Sequence, residues 1–95
     1  MLNPAQKRFL SAKAHSLSAV VIIGRNGLTS SVINEIDTAL KSHELIKIRV
    51  ASGEKDEREA MLEALCAALH ADPVRHVGKI LVVYRRAEKP LLVLP

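Results

Sequence analysis

Apolar residues in this chain recur with two periods, and the changes between them mark the elements. Near the start, Asn3-Pro4-Ala5-Gln6 reads as a helix opening, with Asn as N-cap, Pro at the first helical position and Gln three residues after the cap. The spacing predicts a helix to about Ala14, with Phe9 and Ala12 facing inward and Lys7, Arg8 and Lys13 solvated. Val20-Val21-Ile22-Ile23 is apolar at every position, which predicts a strand covered on both faces, central in an α/β sheet. Beyond the next loop, Thr29 can cap a helix whose Val32, Ile33, Ile36, Ala39 and Leu40 follow the helical period.

From Ile46 the period switches to alternation. Ile46, Ile48 and Val50 are assigned to the core, and Lys47 and Arg49 to the opposite, open face. Ser52-Gly53 is a turn, and Asp56-Glu57-Arg58-Glu59 resembles a capping box for a third helix with Met61, Leu62, Leu65, Ala68 and Leu69 along its apolar stripe. Asp72-Pro73 is expected to stop that helix. Val74–Val77 and Ile80–Tyr84 then flank Gly78-Lys79, the pair a type II′ hairpin needs. The apolar tail Leu91–Leu94 is a candidate extra edge strand, limited by the prolines on either side.

The resulting order, α-β-α-β-α-β-β, predicts one α/β domain over residues 1–95 with a mixed four-stranded sheet. Its core is placed at about residues 3–87, with 88–95 as a tail. A length of 95 residues supports a single core, and 48% hydrophobic with 25% charged residues argues against disorder. No run is long enough to cross a membrane, and no apolar signal core follows the N-terminal charges. The single cysteine, Cys66, fits a reducing compartment, so a cytoplasmic location is expected.

Charge changes the picture more than composition does. The net charge is +4, but residues 1–49 hold seven cations (Lys7, Arg8, Lys13, Arg25, Lys41, Lys47, Arg49) against Glu35, Asp37 and Glu44. Arg75, Lys79, Arg85, Arg86 and Lys89 face Glu88 alone over 75–89, while five of the ten acids fall between Glu54 and Glu63. This segregation predicts one basic and one acidic side, the basic side being a candidate polyanion surface.

The stretch best suited to chemistry is Gly24-Arg25-Asn26-Gly27. A strand emptying into a two-glycine loop that feeds a helix N-terminus can hold a phosphate with backbone N–H groups. Positive φ at the glycines and left-handed tolerance at Asn26 would shape it, and Arg25 adds a cationic fork. From spacing alone, an ordinary βα turn explains it equally well. It is neither a dinucleotide fingerprint nor a Walker loop, since the third glycine and the Gly-Lys-Ser/Thr are missing. His15, His43, His70 and His76 match no zinc spacing, Cys66 fits a small core residue, and no nucleophile–base arrangement stands out. Phe9 and Tyr84 are the only aromatics, which excludes modules that stack bases on aromatic platforms and leaves recognition of a backbone by shape and charge. These features do not distinguish RNA from DNA.

Ala14-His15-Ser16-Leu17, Val21-Ile22-Ile23-Gly24-Arg25-Asn26-Gly27-Leu28-Thr29, His43-Glu44-Leu45-Ile46-Lys47-Ile48, Gly78-Lys79 and Leu81-Val82-Val83-Tyr84-Arg85 together resemble the CRM domain, the chloroplast RNA splicing and ribosome maturation domain, above all its stand-alone bacterial YhbY-like form. The resemblance spans nearly the whole chain. It implies a fold similar to the C-terminal domain of bacterial translation initiation factor three, and a non-enzymatic RNA-binding protein associated with precursors of the large ribosomal subunit. Gly24, Arg25, Asn26 and Gly27 would form the RNA loop, with Thr29 at the helix start. Lys7, Arg8, Lys13, Lys47, Arg85 and Arg86 join that surface by charge and expected exposure. Ser18-Ala19 stands where the family often has Lys-Pro, so that segment has less claim to RNA. A role in intron splicing or translational control, or a protein-interaction module built on the acidic helix, are the alternatives. No metal, cofactor, small-molecule substrate or membrane partner is expected, and the protein is expected to act as a monomer.

Overall fold

A computed structural model describes all residues from Met1 to Pro95. The elements are α1 (Pro4–Ala14), β1 (Ala19–Ile23), α2 (Ser30–His43), β2 (Leu45–Val50), α3 (Lys55–Leu69), β3 (Asp72–Val77) and β4 (Ile80–Tyr84). They form an α/β domain around one four-stranded sheet ordered β1-β2-β4-β3. β1 and β2 are parallel, joined by the α2 crossover, and β4 inserts antiparallel between β2 and β3.

The sheet separates two apolar clusters. Val21, Ile23, Ile46, Ile48, Val50, Leu81 and Val83 meet Ile36 and Leu40 of α2 and Leu62, Leu65 and Cys66 of α3. On the other face Leu45, Val82 and Tyr84 meet Leu10 and Ala14 of α1, with Leu92 and Leu94 of the tail packed beside them. The alternation in β2 divides as expected, since Ile46, Ile48 and Val50 are buried while Arg49 is exposed. Leu45 is buried too, under α1.

Several local expectations hold. Asn3 and Gln6 form a reciprocal capping box, with N–H to side-chain oxygen distances of 2.8 and 3.0 Å. Thr29 Oγ1 accepts the N–H of Val32 at 3.2 Å. Gly78 has φ 55° while Lys79 stays at negative φ, as a type II′ hairpin requires.

Others are corrected. β1 is an edge strand, not a central one, and Val20 and Ile22 are 51% and 61% exposed. A short run of apolar residues carries no periodicity, so it cannot report how many faces are covered. The inward face of α1 is Leu10 and Ala14, with Phe9 half-buried and Ala12 exposed. α3 begins two residues early, at Lys55: Glu54 and not Asp56 is its N-cap, and Glu57 accepts the Glu54 N–H at 3.2 Å. Cys66, not Ala68, completes its inner face. The helix ends at left-handed His70, φ 54°, and Asp72-Pro73 opens β3 instead of merely stopping α3. Proline fits there because it lies at the start of an edge strand, beside a register shift between Pro73 and Arg75.

Residues 91–94 form no strand. They are folded onto the domain by Glu44, which is fully buried and whose carboxylate accepts the N–H groups of Ala87, Leu91 and Leu92 at 2.7–2.8 Å. Gln6 adds a hydrogen bond from Nε2 to the Pro95 carbonyl at 3.1 Å.

Candidate nucleic-acid interface

The loop 24–29 leaves the carboxyl end of β1, the side of an open α/β sheet where ligands commonly sit. The N–H of Gly27 closes a turn on the carbonyl of Gly24 at 3.0 Å, and the N–H of Thr29 returns to the carbonyl of Gly27 at 3.0 Å. Only Gly27 needs glycine's conformational freedom, at φ 68°. Gly24 and Asn26 lie at negative φ, contrary to the expectation of left-handed geometry across the loop. A Cβ on Gly24 would meet nothing within 4 Å.

These internal bonds leave a defined set of donors. The N–H groups of Arg25, Asn26 and Leu28, and of Ser30 and Ser31 in the first turn of α2, have no partner in the protein. Gly27 and Thr29 are spent on the turn, so their amides are not among the free ones. Ser30 and Ser31 lie at the positive end of the α2 dipole. The Arg25 side chain, exposed at the tip, has neither a hydrogen bond nor an ion pair.

Apart from Arg25, the expected cations lie mid-sheet or toward the end opposite the loop. Lys47 lies mid-strand on β2, half-buried, its Nζ donating to the Leu17 carbonyl at 3.0 Å. Lys13 is exposed on α1, its Nζ 5.6 Å from the centre of the Phe9 ring. Lys7 and Arg8 are exposed in the first turns of α1, beside Gln6, which reaches the C-terminal Pro95. Arg86 follows β4 at that same far end.

Arg85 is not a free surface cation. It donates to the Asp37 carboxylate at 2.8 Å, to the Leu69 carbonyl at 3.0 Å and to the Asp37 carbonyl at 3.1 Å. Hydrogen bonds from Arg85 and Lys41 hold the Asp37 carboxyl below its ordinary range. Arg85 thereby ties β4 to α2 and to the end of α3. The exposure expected for it is not found.

Two cations missing from the expected set lie nearer the loop: Arg49 is the β2 neighbour of Ile22, and Lys79 is in the hairpin. A third, Arg75, pairs across β3–β4 with Val82, on the same rung as Lys47. The alternation of β2 already places Arg49 beside Lys47; nothing local in β3 marks Arg75.

The acids divide by face and not by end. α3 starts at the loop end of the sheet, and a Cβ on Gly27 would lie 3.8 Å from Met61 Cε of that helix. Two of its four acids also have structural partners. Glu57 caps the helix start, and Glu59 meets His76 Nδ1, fastening β3 to α3. Arg58 joins them, donating to His76 Nε2 at 3.2 Å and to the Gly53 carbonyl at 2.8 Å. His76 Nε2 also lies 3.0 Å from the Gly78 carbonyl. The α2–α3 side of the loop is therefore acidic and braced, while the α1 side is basic.

The chain is similar to several described proteins. It is 43% identical over 89 residues to a probable RNA-binding protein of Pseudomonas aeruginosa, covering 94% of this chain and 86% of the relative. An RNA-binding protein of Haemophilus influenzae is 42% identical over 94 residues, 99% of this chain and 95% of the relative. A hypothetical protein of Staphylococcus aureus, known from its solution structure, superposes with a TM-score of 0.88 at 33% identity over the full length of both chains. The CRS1 / YhbY (CRM) domain model matches residues 2–85, from the cap of α1 through Arg85, and with that match this chain belongs to the CRS1/YhbY (CRM) domain family.

Proposed function

We propose that this protein is a non-enzymatic RNA-binding factor that associates with precursor large-subunit ribosomal RNA in the cytoplasm and assists ribosome assembly. The observation that carries the RNA reading is the loop 24–31, where unpaired N–H groups and an unpaired guanidinium share one solvated turn. Such donors suit phosphate oxygens, and the α2 dipole adds to their field. The relatives named as RNA-binding proteins supply the choice of RNA. Backbone recognition suits a chain whose Tyr84 is buried and whose Phe9 is half-buried beneath Lys13, leaving no platform for a base.

The binding test is a salt titration on structured ribosomal RNA. Affinity is expected to fall by about 0.7–0.9 log units per log unit of salt for each phosphate contact. Arg25→Ala should lower affinity by about tenfold, as loss of a charge-assisted contact does, with the melting temperature unchanged. Wild-type affinity and salt slope in both Arg25→Ala and Gly27→Asp would remove the loop from the interface. For the assembly role, tagged protein should co-sediment with free large-subunit precursors; recovery with mature ribosomes or intron RNA would replace it with a translational or splicing role.

A further inference from the structure

Beyond the loop, the α1 face of the sheet is only half covered. Leu10 and Ala14 of α1 close over Leu45, Val82 and Tyr84, and the half next to the loop is left open. Ile22 pairs with Arg49, Arg49 with Ile80, and Ile80 with Val77, so these four side chains form one rung across all four strands. Ile22 and Val77 are 61% and 48% exposed. Behind this rung lies a second, in which Lys47, Val82 and Arg75 are cross-strand partners. A cleft of about 200 Å³ runs between it and α1, lined by Ser11, His15, Lys47, Arg75, Val77 and Ile80.

Exposed isoleucine and valine in a row could be covered by many things, and charge decides among them. Neither rung contains a carboxylate. Arg49 has no partner, Lys47 donates only to the Leu17 carbonyl, and Arg75 only to Ser11 Oγ at 3.2 Å. On the opposite layer, by contrast, Lys41 and Arg85 both meet Asp37. A cationic strip interleaved with aliphatic side chains and free of carboxylates matches a polyanion that also presents apolar surface. Nucleic-acid backbone is such a polyanion, with phosphates flanking ribose faces. The wide, shallow minor groove of A-form RNA displays those riboses to a flat surface and needs no aromatic stacking. The acids of α3 lie on the other layer and disfavour approach from there.

We propose that the open half of the sheet, the rung Ile22–Arg49–Ile80–Val77 with Lys47 and Arg75 behind it, is a second contact surface that seats the minor-groove face of an RNA duplex. It rests on the RNA-binding reading above, and it extends the loop along the face of β1 and β2. Phosphates of one strand would meet Arg25 and the loop amides, and those across the groove Lys47 and Arg75, with the riboses on Ile22, Ile80 and Val77.

The test compares an RNA hairpin of about 16 base pairs with the same sequence as DNA duplex and as unpaired RNA. It uses the wild type, Arg25→Ala, Arg49→Gln and the double variant Ile22→Ser/Val77→Ser, each checked by thermal melting. The wild type should prefer the RNA duplex. Arg49→Gln should weaken duplex binding by about tenfold and reduce the salt slope by about 0.9. The serine pair should weaken it by about fivefold with the slope unchanged, because apolar contact and not charge is lost. If both face variants bind as wild type while Arg25→Ala is impaired, the face proposal falls and the loop reading stands. The reverse pattern removes the loop and keeps the face. Absence of RNA binding by the wild type ends both. A concentration-dependent dimer that the serine pair dissolves, with RNA affinity intact, would show that a second copy of the chain covers the face and would overturn the proposal.

Discussion

The two ends of the sheet treat charge in opposite ways. Where β2 begins and β4 ends, two ionised groups are enclosed and answered: Glu44 by three backbone N–H groups, and Arg85 by Asp37 and two carbonyls. Where β1 ends and the hairpin turns, Arg25 and Arg49 have no partner and several amides are free. The first end spends these groups on fixing the chain, and the second, outside the Arg58–His76–Glu59 brace, keeps its loop donors and Arg49 unspent. A residue of the same type, arginine, is a structural tie at one end and a candidate ligand contact at the other. Its partners distinguish the two roles, and the sequence does not record them.

The largest effect is expected from breaking the enclosed end. Glu44 sits at φ 61°, ψ −48°, a strained conformation for a residue with a Cβ, and is held there by the bonds it accepts. Glu44→Ala leaves three N–H groups without their acceptor and should cost about 3 kcal/mol or more. It should appear as a lower melting temperature and faster amide exchange at Leu91 and Leu92, with RNA affinity at low temperature unchanged. The same end governs acid stability. Burial opposes the charge of Glu44, but the Ala87, Leu92 and Leu91 N–H groups and nearby Arg86 outweigh it and hold its carboxyl below the ordinary 4.5. Asp37 is likewise held below 3.8. Both are depressed in the folded state, so the unfolded chain binds protons more readily in acid. Their stabilisation is complete above the ordinary carboxylate values and is lost as pH falls through the lower folded ones. Acid unfolding of Glu44→Ala should therefore show a shallower pH dependence over that range.

Arg85→Ala should come next, lowering the melting temperature by less than Glu44→Ala because Asp37 remains partly solvated. Its RNA affinity should match wild type. A drop in affinity at unchanged fold would move Arg85 to the RNA surface and blur the contrast between the ends. Gly27→Ala forces a Cβ into φ 68° and should cost about 1–2 kcal/mol, with weaker RNA binding as the turn distorts. Gly24→Ala sharpens the comparison most cleanly. With open space around it and negative φ, the change should leave stability within about 0.5 kcal/mol. A loss of RNA affinity there would show that the backbone itself is approached.

Much of the candidate site was legible because its signals are local. The strand before the loop, the Thr29 cap and the alternation that turns Lys47 and Arg49 away from the core need only neighbours in sequence. The misplaced cations were those whose fate depends on distant residues. Arg85 meets Asp37, 48 positions away, and Leu69, 16 positions away, so composition near Arg85-Arg86 could not separate the tied arginine from the exposed one. Arg75 enters the site only because β4 inserts between β2 and β3. The acidic run was visible, yet the helix start at Lys55 brings it to the loop end, on the opposite face from the cations.

By itself, then, the sequence determined the element order, the caps of the first two helices, the Gly78-Lys79 hairpin, the core face of β2 and the presence of a glycine loop between a strand and a helix. Each follows from backbone sterics, side-chain periodicity or a hydrogen bond spanning three or four residues. The tertiary structure decided that β1 is an edge, that Glu44 fastens the tail, that Arg85 is enclosed, and that Ile22, Arg49, Ile80 and Val77 share an open rung. Those outcomes depend on strand order and on which face α1 covers. Both are fixed by long-range packing, in which the solvation of one residue depends on another far away in the chain.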